Sequence, residues 1–98
     1  MSGFHSEDME KFYKAILSLK NEDECAGFFE DICTVKELKD MAQRLGVAQM
    51  LRDGMSYQNV SAKIGASTAT ISRVNRCLMY GNGGYNTVLE RLNNDSKK

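Results

Sequence analysis

Ninety-eight residues, 42% of them apolar, make one small domain with a modest core, and a chain of this size often completes its core by pairing with a second copy. The formal net charge of 0 argues against indiscriminate nucleic-acid binding, and no apolar run approaches membrane-spanning length. A charged N-terminal stretch and 3 widely spaced cysteines with 1 histidine point away from a secretory leader and a zinc site, and towards reduced thiols in a cytoplasmic protein.

With 0 prolines and 0 tryptophans, little strand-like alternation, and apolar residues recurring at three- and four-residue spacing, the class is all-α. The first helix is capped by Ser6, with Glu7, Asp8 and Glu10 in its first turn. Its apolar stripe is Met9, Phe12, Tyr13, Ile16 and Leu17. Asn21 and Glu24 have capping-box spacing and open a second helix with Cys25, Phe28, Phe29 and Ile32 as its buried side. Thr34 and Glu37 repeat that spacing before a long third helix from Val35 to Arg52. Here Leu38, Met41, Ala42, Leu45 and Ala48 face inward, with Val47 and Leu51 as a second apolar edge. A helix apolar on two sides is central, or shared with another subunit.

Gly54 reads as a C-cap and Ser56 as the N-cap of a short fourth helix, Tyr57 to Ile64. Gly65 ends it, Ser67 or Thr68 starts a fifth helix reaching about Leu78, and residues 80–85, YGNGGY, form a glycine-rich loop. Thr87 and Glu90 suggest a last capping box with Val88, Leu89 and Leu92 beyond it, and residues 93–98 read as a disordered tail. The expectation is a single helical domain over 1–98.

Residues 57–77 have the layout of a helix-turn-helix. Val60 and Ile64 of the first helix face Ile71 and Val74 of the second. Gly65 supplies the turn's positive φ, and Ala66 is small enough to tuck beneath. Ser61 stands where an alanine usually lets the two helices approach. The second helix then exposes Ser67, Thr68, Ala69, Ser72, Arg73 and Arg76, with Thr70 at the edge. Small hydroxyl residues admit a helix to the major groove and bond phosphates or base edges, Ala69 suits a thymine methyl, and arginine forks onto guanine or phosphate. Gln58 and Asn59 are placed to reach the backbone. The plainer alternative is a helical hairpin with a solvated Ser/Thr face, but hydroxyl residues are mediocre helix formers. Residues 1–54 carry 7 Lys+Arg and 11 Asp+Glu, and residues 55–98 carry 6 and 2. A basic second half fits an anionic partner, or simply attracts the acidic first half.

Residues 65–85, GASTATISRVNRCLMYGNGGY, resemble the tryptophan-repressor superfamily and, within it, the YerC/YecD-type branch. The resemblance runs from about Phe12 to Leu92. It implies a six-helix fold in an intertwined homodimer, double-stranded DNA as partner, and transcriptional regulation. It places the DNA-contacting face on Gln58, Ser61, Thr68, Ala69, Thr70 and Ser72. It also implies an effector pocket at Thr34, Arg44, Arg73 and Cys77, Arg44 reaching its place with one residue absent before Met55. Two departures argue against tryptophan. Val74 replaces the glycine that leaves room for an indole, and Cys77 replaces a serine; overpacking of this kind costs about 1–3 kcal/mol. A different small anionic effector, or none, fits better.

No enzyme is legible. His5 has no partner in sequence context, Cys77 has no acid–base pair beside it, and YGNGGY lacks the lysine and preceding strand of a phosphate loop. No cofactor is expected. The competing class is a protein-interaction module that has kept the fold.

Overall fold

The computed structural model describes residues 6–96, which form helices and connecting turns and no strand. The helices are α1 (Glu7–Leu17), α2 (Glu22–Ile32), α3 (Val35–Arg52), α4 (Tyr57–Ile64), α5 (Thr68–Tyr80) and α6 (Gly84–Ser96). His5 lies outside the described residues. The polar caps place most boundaries. The Ser6 hydroxyl accepts from the Met9 N–H at 3.2 Å, and Asn21 Oδ1 accepts from the Glu24 N–H at 2.9 Å. At α3 the capping box closes both ways: the Thr34 N–H donates to Glu37 Oε1 at 2.8 Å, and the Glu37 N–H donates to Thr34 Oγ1 at 3.0 Å.

Internal packing divides the chain into one unit ending at Leu38 and another starting at Lys39. The division falls inside α3, with no glycine- or serine-rich linker to mark it. In the first unit neither α1 nor α2 has a buried residue. Phe12 and Phe28 pack with ring centroids 6.2 Å apart, and Phe28 meets Phe29 edge-on at 5.3 Å. The sequence-based expectation of buried stripes is corrected here: Cys25 is exposed, Ile32 is 52% exposed and Leu17 83%. Two helices of 11 residues each have too little surface to enclose both apolar faces.

The second unit holds the buried core: Val47, Ala48, Val60, Ala66, Ile71, Val74 and Leu89. On α3 the inward stripe differs from expectation. Of the five residues assigned inward only Ala48 is buried; Met41 and Ala42 are exposed, while Val47, assigned to the second edge, is fully enclosed. The reason is where α3 finds neighbours: residues 47 and 48 pack with α4, α5 and α6.

The C-terminal third departs from the sequence reading in three places. First, α5 runs two residues further, to Tyr80. Second, α6 begins at Gly84 rather than behind a Thr87 cap. The Thr87 N–H already donates a helical bond to the Gly83 carbonyl at 3.0 Å, so the Thr-x-x-Glu spacing lies inside the helix. Third, residues 93–96, expected to be disordered, continue α6; residues 97–98 lie outside the described residues. The α5–α6 turn is held by side chains of α6 and α3. Asn86 Nδ2 donates to the Leu78 carbonyl at 3.1 Å, and an Arg52 guanidinium N–H donates to the Asn86 carbonyl at 3.3 Å. Gly81 closes against α5 so tightly that a Cβ there would collide with the Cys77 carbonyl.

Candidate nucleic-acid interface

The helix-turn-helix is assembled from local chemistry. Ser56 caps α4, its hydroxyl accepting from the Asn59 N–H at 3.1 Å. Gly65 ends α4 in the left-handed region (φ 77°, ψ 14°) and donates its N–H to the Ser61 carbonyl at 2.9 Å. An alanine in that conformation is strained by about 1–2 kcal/mol. Ser67 then caps α5, its hydroxyl accepting from the Thr70 N–H at 3.2 Å. Beneath the turn Ala66 is 3% exposed, and Val60, Ile71 and Val74 are buried. Gln43 on α3 adds a longer bond, its Nε2 donating to the Ile64 carbonyl at 3.5 Å.

The nine residues read from the sequence as DNA-facing separate into two groups. Gln58, Thr68, Ala69, Ser72, Arg73 and Arg76 are exposed. Among the described residues, their side chains hold no hydrogen bond or ion pair. The other three are engaged within the chain. The Ser67 hydroxyl caps the helix and donates to Thr70 Oγ1 at 3.1 Å, and Thr70 is half-buried. The Ser61 hydroxyl donates to the Ala66 carbonyl at 2.9 Å. An open cleft of about 450 Å³ brings together Gln58, Ser61 and Thr68 with Tyr57 and Ala62. Sequence reasoning missed Tyr57, although its place four residues before Ser61 puts it on the same face of α4.

Electrostatics distinguish this region from the first two helices. Residues 39–98 carry 9 Lys+Arg against 4 Asp+Glu, net +5. Neither α4 nor α5 has an acidic residue in its first turn, whereas α1 and α2 have three each. The partial positive charge at the start of α5 is therefore not met by a carboxylate of its own first turn, and that end of the helix suits an anion.

The residues implied as an effector pocket have different settings. Thr34 belongs to the first unit, where it is the exposed α3 cap. In the second unit Arg44 is half-buried, and Arg73 and Cys77 are exposed. A cleft of about 510 Å³ is lined by Leu45, Cys77, Tyr85 and Val88 with Gly81, Asn82 and Gly84, but by neither arginine. Val74 is 1% exposed and packs in the core, so its methyl groups fill interior space. Among the described residues, no group of His, Cys, Asp or Glu is placed to hold a metal ion, and no helix is long and apolar enough to cross a membrane.

The family model described as Trp repressor protein matches residues 7–93. The chain is 51% identical over 85 residues to the uncharacterized protein YerC of Bacillus subtilis (strain 168), covering 87% of this chain and 82% of the relative. Among solved structures, it resembles a TrpR-like protein from Eubacterium eligens ATCC 27750 with a TM-score of 0.87 and 53% identity, over 90% of this chain and 91% of the other. It also resembles a Staphylococcus aureus protein described as a candidate Trp repressor, with a TM-score of 0.88 and 45% identity, over 91% and 89% of the two chains.

Proposed function

Because the chain belongs to the Trp repressor protein family, we propose that it is a DNA-binding transcriptional regulator that acts in the cytoplasm as a homodimer and reads a two-fold-symmetric operator through the major groove. The observation that carries this reading is the outer face of α5. Thr68, Ala69, Ser72, Arg73 and Arg76 are exposed on a helix whose opposite side, Ile71 and Val74, is locked into the core. A rigidly seated helix with a small, hydroxyl-rich, basic outer face suits entry into the groove. In this reading Thr68, Ala69 and Ser72 meet base edges near the helix start. Arg73, Arg76 and Gln58 supply phosphate or guanine contacts, and two copies place their α5 helices about one DNA turn apart.

The test is selection of sites from random duplex DNA by the purified protein without added ligand. A symmetric site with half-sites about 10 bp apart supports the reading, and a protein with Thr68, Ser72 and Arg76 all changed to Glu then folds normally and no longer binds it. Undiminished affinity in that variant sinks the assigned face.

The zero net charge of the chain favours, as a second reading, a protein-interaction module on the same fold; weak salt dependence of any DNA binding supports that instead. Val74, buried where a planar ligand would need space, speaks against tryptophan as effector. Arg44 and Arg73, without ion pairs among the described residues, leave a different small anion as the effector class to screen.

A further inference from the structure

We propose that Ser61 is a positioning residue that fixes the angle at which α5 leaves the turn, rather than a DNA contact; this rests on the DNA-binding reading above. Ser61 holds both sides of the left-handed residue Gly65. Its carbonyl accepts from the Gly65 N–H at 2.9 Å, and its hydroxyl donates to the Ala66 carbonyl at 2.9 Å. The Ala66 carbonyl depends on that donor. The backbone bonds of α5 begin one residue later, where the Ser67 carbonyl accepts from the Ile71 N–H at 3.0 Å, and the Thr70 N–H turns to the Ser67 hydroxyl. A carbonyl beside a buried side chain, Ala66 at 3% exposure, needs such a partner.

The chemistry of a hydroxyl makes donation to the Ala66 carbonyl and donation to DNA exclusive, leaving Ser61 only its lone pairs for a base amino group. Serine has one proton to give. Phosphate oxygens and the guanine O6 and N7 positions are acceptors, so to bond them Ser61 must release Ala66 and loosen the turn. Its half-buried place among Tyr57, Gln58, Ala62 and Thr68 puts it beneath the two exposed hydrogen-bonding residues of that cleft. In this proposal Gln58 and Thr68 are the groups that touch phosphate or guanine there, and Ser61 acts through Thr68 and the rest of α5.

The experiment compares Ser61→Ala and Ser61→Thr with the wild-type full-length chain by two readouts. The first, amide hydrogen exchange in the free protein, needs no DNA. Ser61→Ala is expected to speed exchange at Gly65 and Ile71 by roughly tenfold, as loss of one hydrogen bond implies, with Val47 and Leu89 unchanged; Ser61→Thr keeps the donor and restores protection. The second is affinity for the selected duplex and its single-base variants. Ser61→Ala weakens every sequence in the same proportion, about five- to tenfold, without altering base preference or salt slope, and Ser61→Thr recovers it. Relaxed preference at one base pair, or a salt slope reduced by about one, overturns the proposal in favour of a direct contact. Unchanged exchange overturns the brace whatever the DNA result. A wild-type protein that enriches no duplex overturns the DNA-binding reading, and with it any role for Ser61 in aiming a base-reading helix.

Discussion

The units on either side of the Leu38–Lys39 junction are built on opposite plans. The second, with net charge +5, holds every buried apolar residue found among the described ones. The first carries 4 Lys+Arg against 9 Asp+Glu, net −5, and has well-made caps and amphipathic helices but no buried side chain in either of them. Local signals are equally strong in both, so the difference lies in burial. Caps and apolar stripes are enough to make a helix, whereas a core needs several helices closing on one point. If the chain pairs as proposed, the half-buried Phe12, Ile16 and Phe28 are the candidates for the surface that a second copy covers.

A core deletion in the second unit does the most damage. Ile71→Ala removes a side chain that is 0% exposed, and is expected to cost about 2–5 kcal/mol in urea unfolding at fixed protein concentration. A loss near zero means the second unit does not carry the fold.

Next comes Phe28→Ala, which removes a ring touching both Phe12 and Phe29. If a second copy buries this face, the substitution weakens association by about 1.5–3 kcal/mol, read by sedimentation over a dilution series, and makes the melting temperature more dependent on concentration. A wild-type chain that stays monomeric at high concentration contradicts the dimer.

Gly65→Ala probes the turn that joins the two helices of the candidate interface. With φ at 77° and nothing within 4 Å of the added Cβ, the cost is backbone strain alone, about 1–2 kcal/mol, measurable by thermal unfolding. A neutral or stabilising outcome means the turn relaxes out of the left-handed conformation.

The smallest effect is the pH dependence of the α3 cap. The Thr34 backbone N–H, and secondarily its side chain, hold the Glu37 carboxyl below its ordinary value of 4.5. The folded pKa is depressed, so the contribution to stability is complete above the unfolded value and fades as pH falls through the folded one. Acid titration of stability is expected to show this component only below about pH 4.5, and Glu37→Gln should remove it. A component that survives in Glu37→Gln belongs to other carboxylates.

Much of the candidate interface was legible before folding. Ser56, Gly65 and Ser67 are turn and cap residues at the spacing of a helix-turn-helix, and Val60, Ile71 and Val74 alternate at helical period. What could not be read was which hydroxyls remain free. Ser61, Ser67 and Thr70 look the same in a sequence as Thr68 and Ser72. Ser61 bonds within the chain because Gly65 turns the backbone so that the Ala66 carbonyl meets α4, and Ser67 and Thr70 bond each other in the first turn of α5. Thr87 and Glu90 show the converse, with cap spacing overridden by a helix already begun at Gly84.

By itself, the sequence determined the local choices: six helices, most of their caps, the left-handed turn at Gly65 and the family. Each depends on residues within a few positions of one another, where propensity and hydrogen bonding are strong. Tertiary structure alone decided which apolar stripes are buried, because burial depends on what stands opposite. Val47 and Ala48 have α4, α5 and α6 against them and disappear from the surface, while Met41, Leu17 and Ile32, equally apolar and equally periodic, remain exposed.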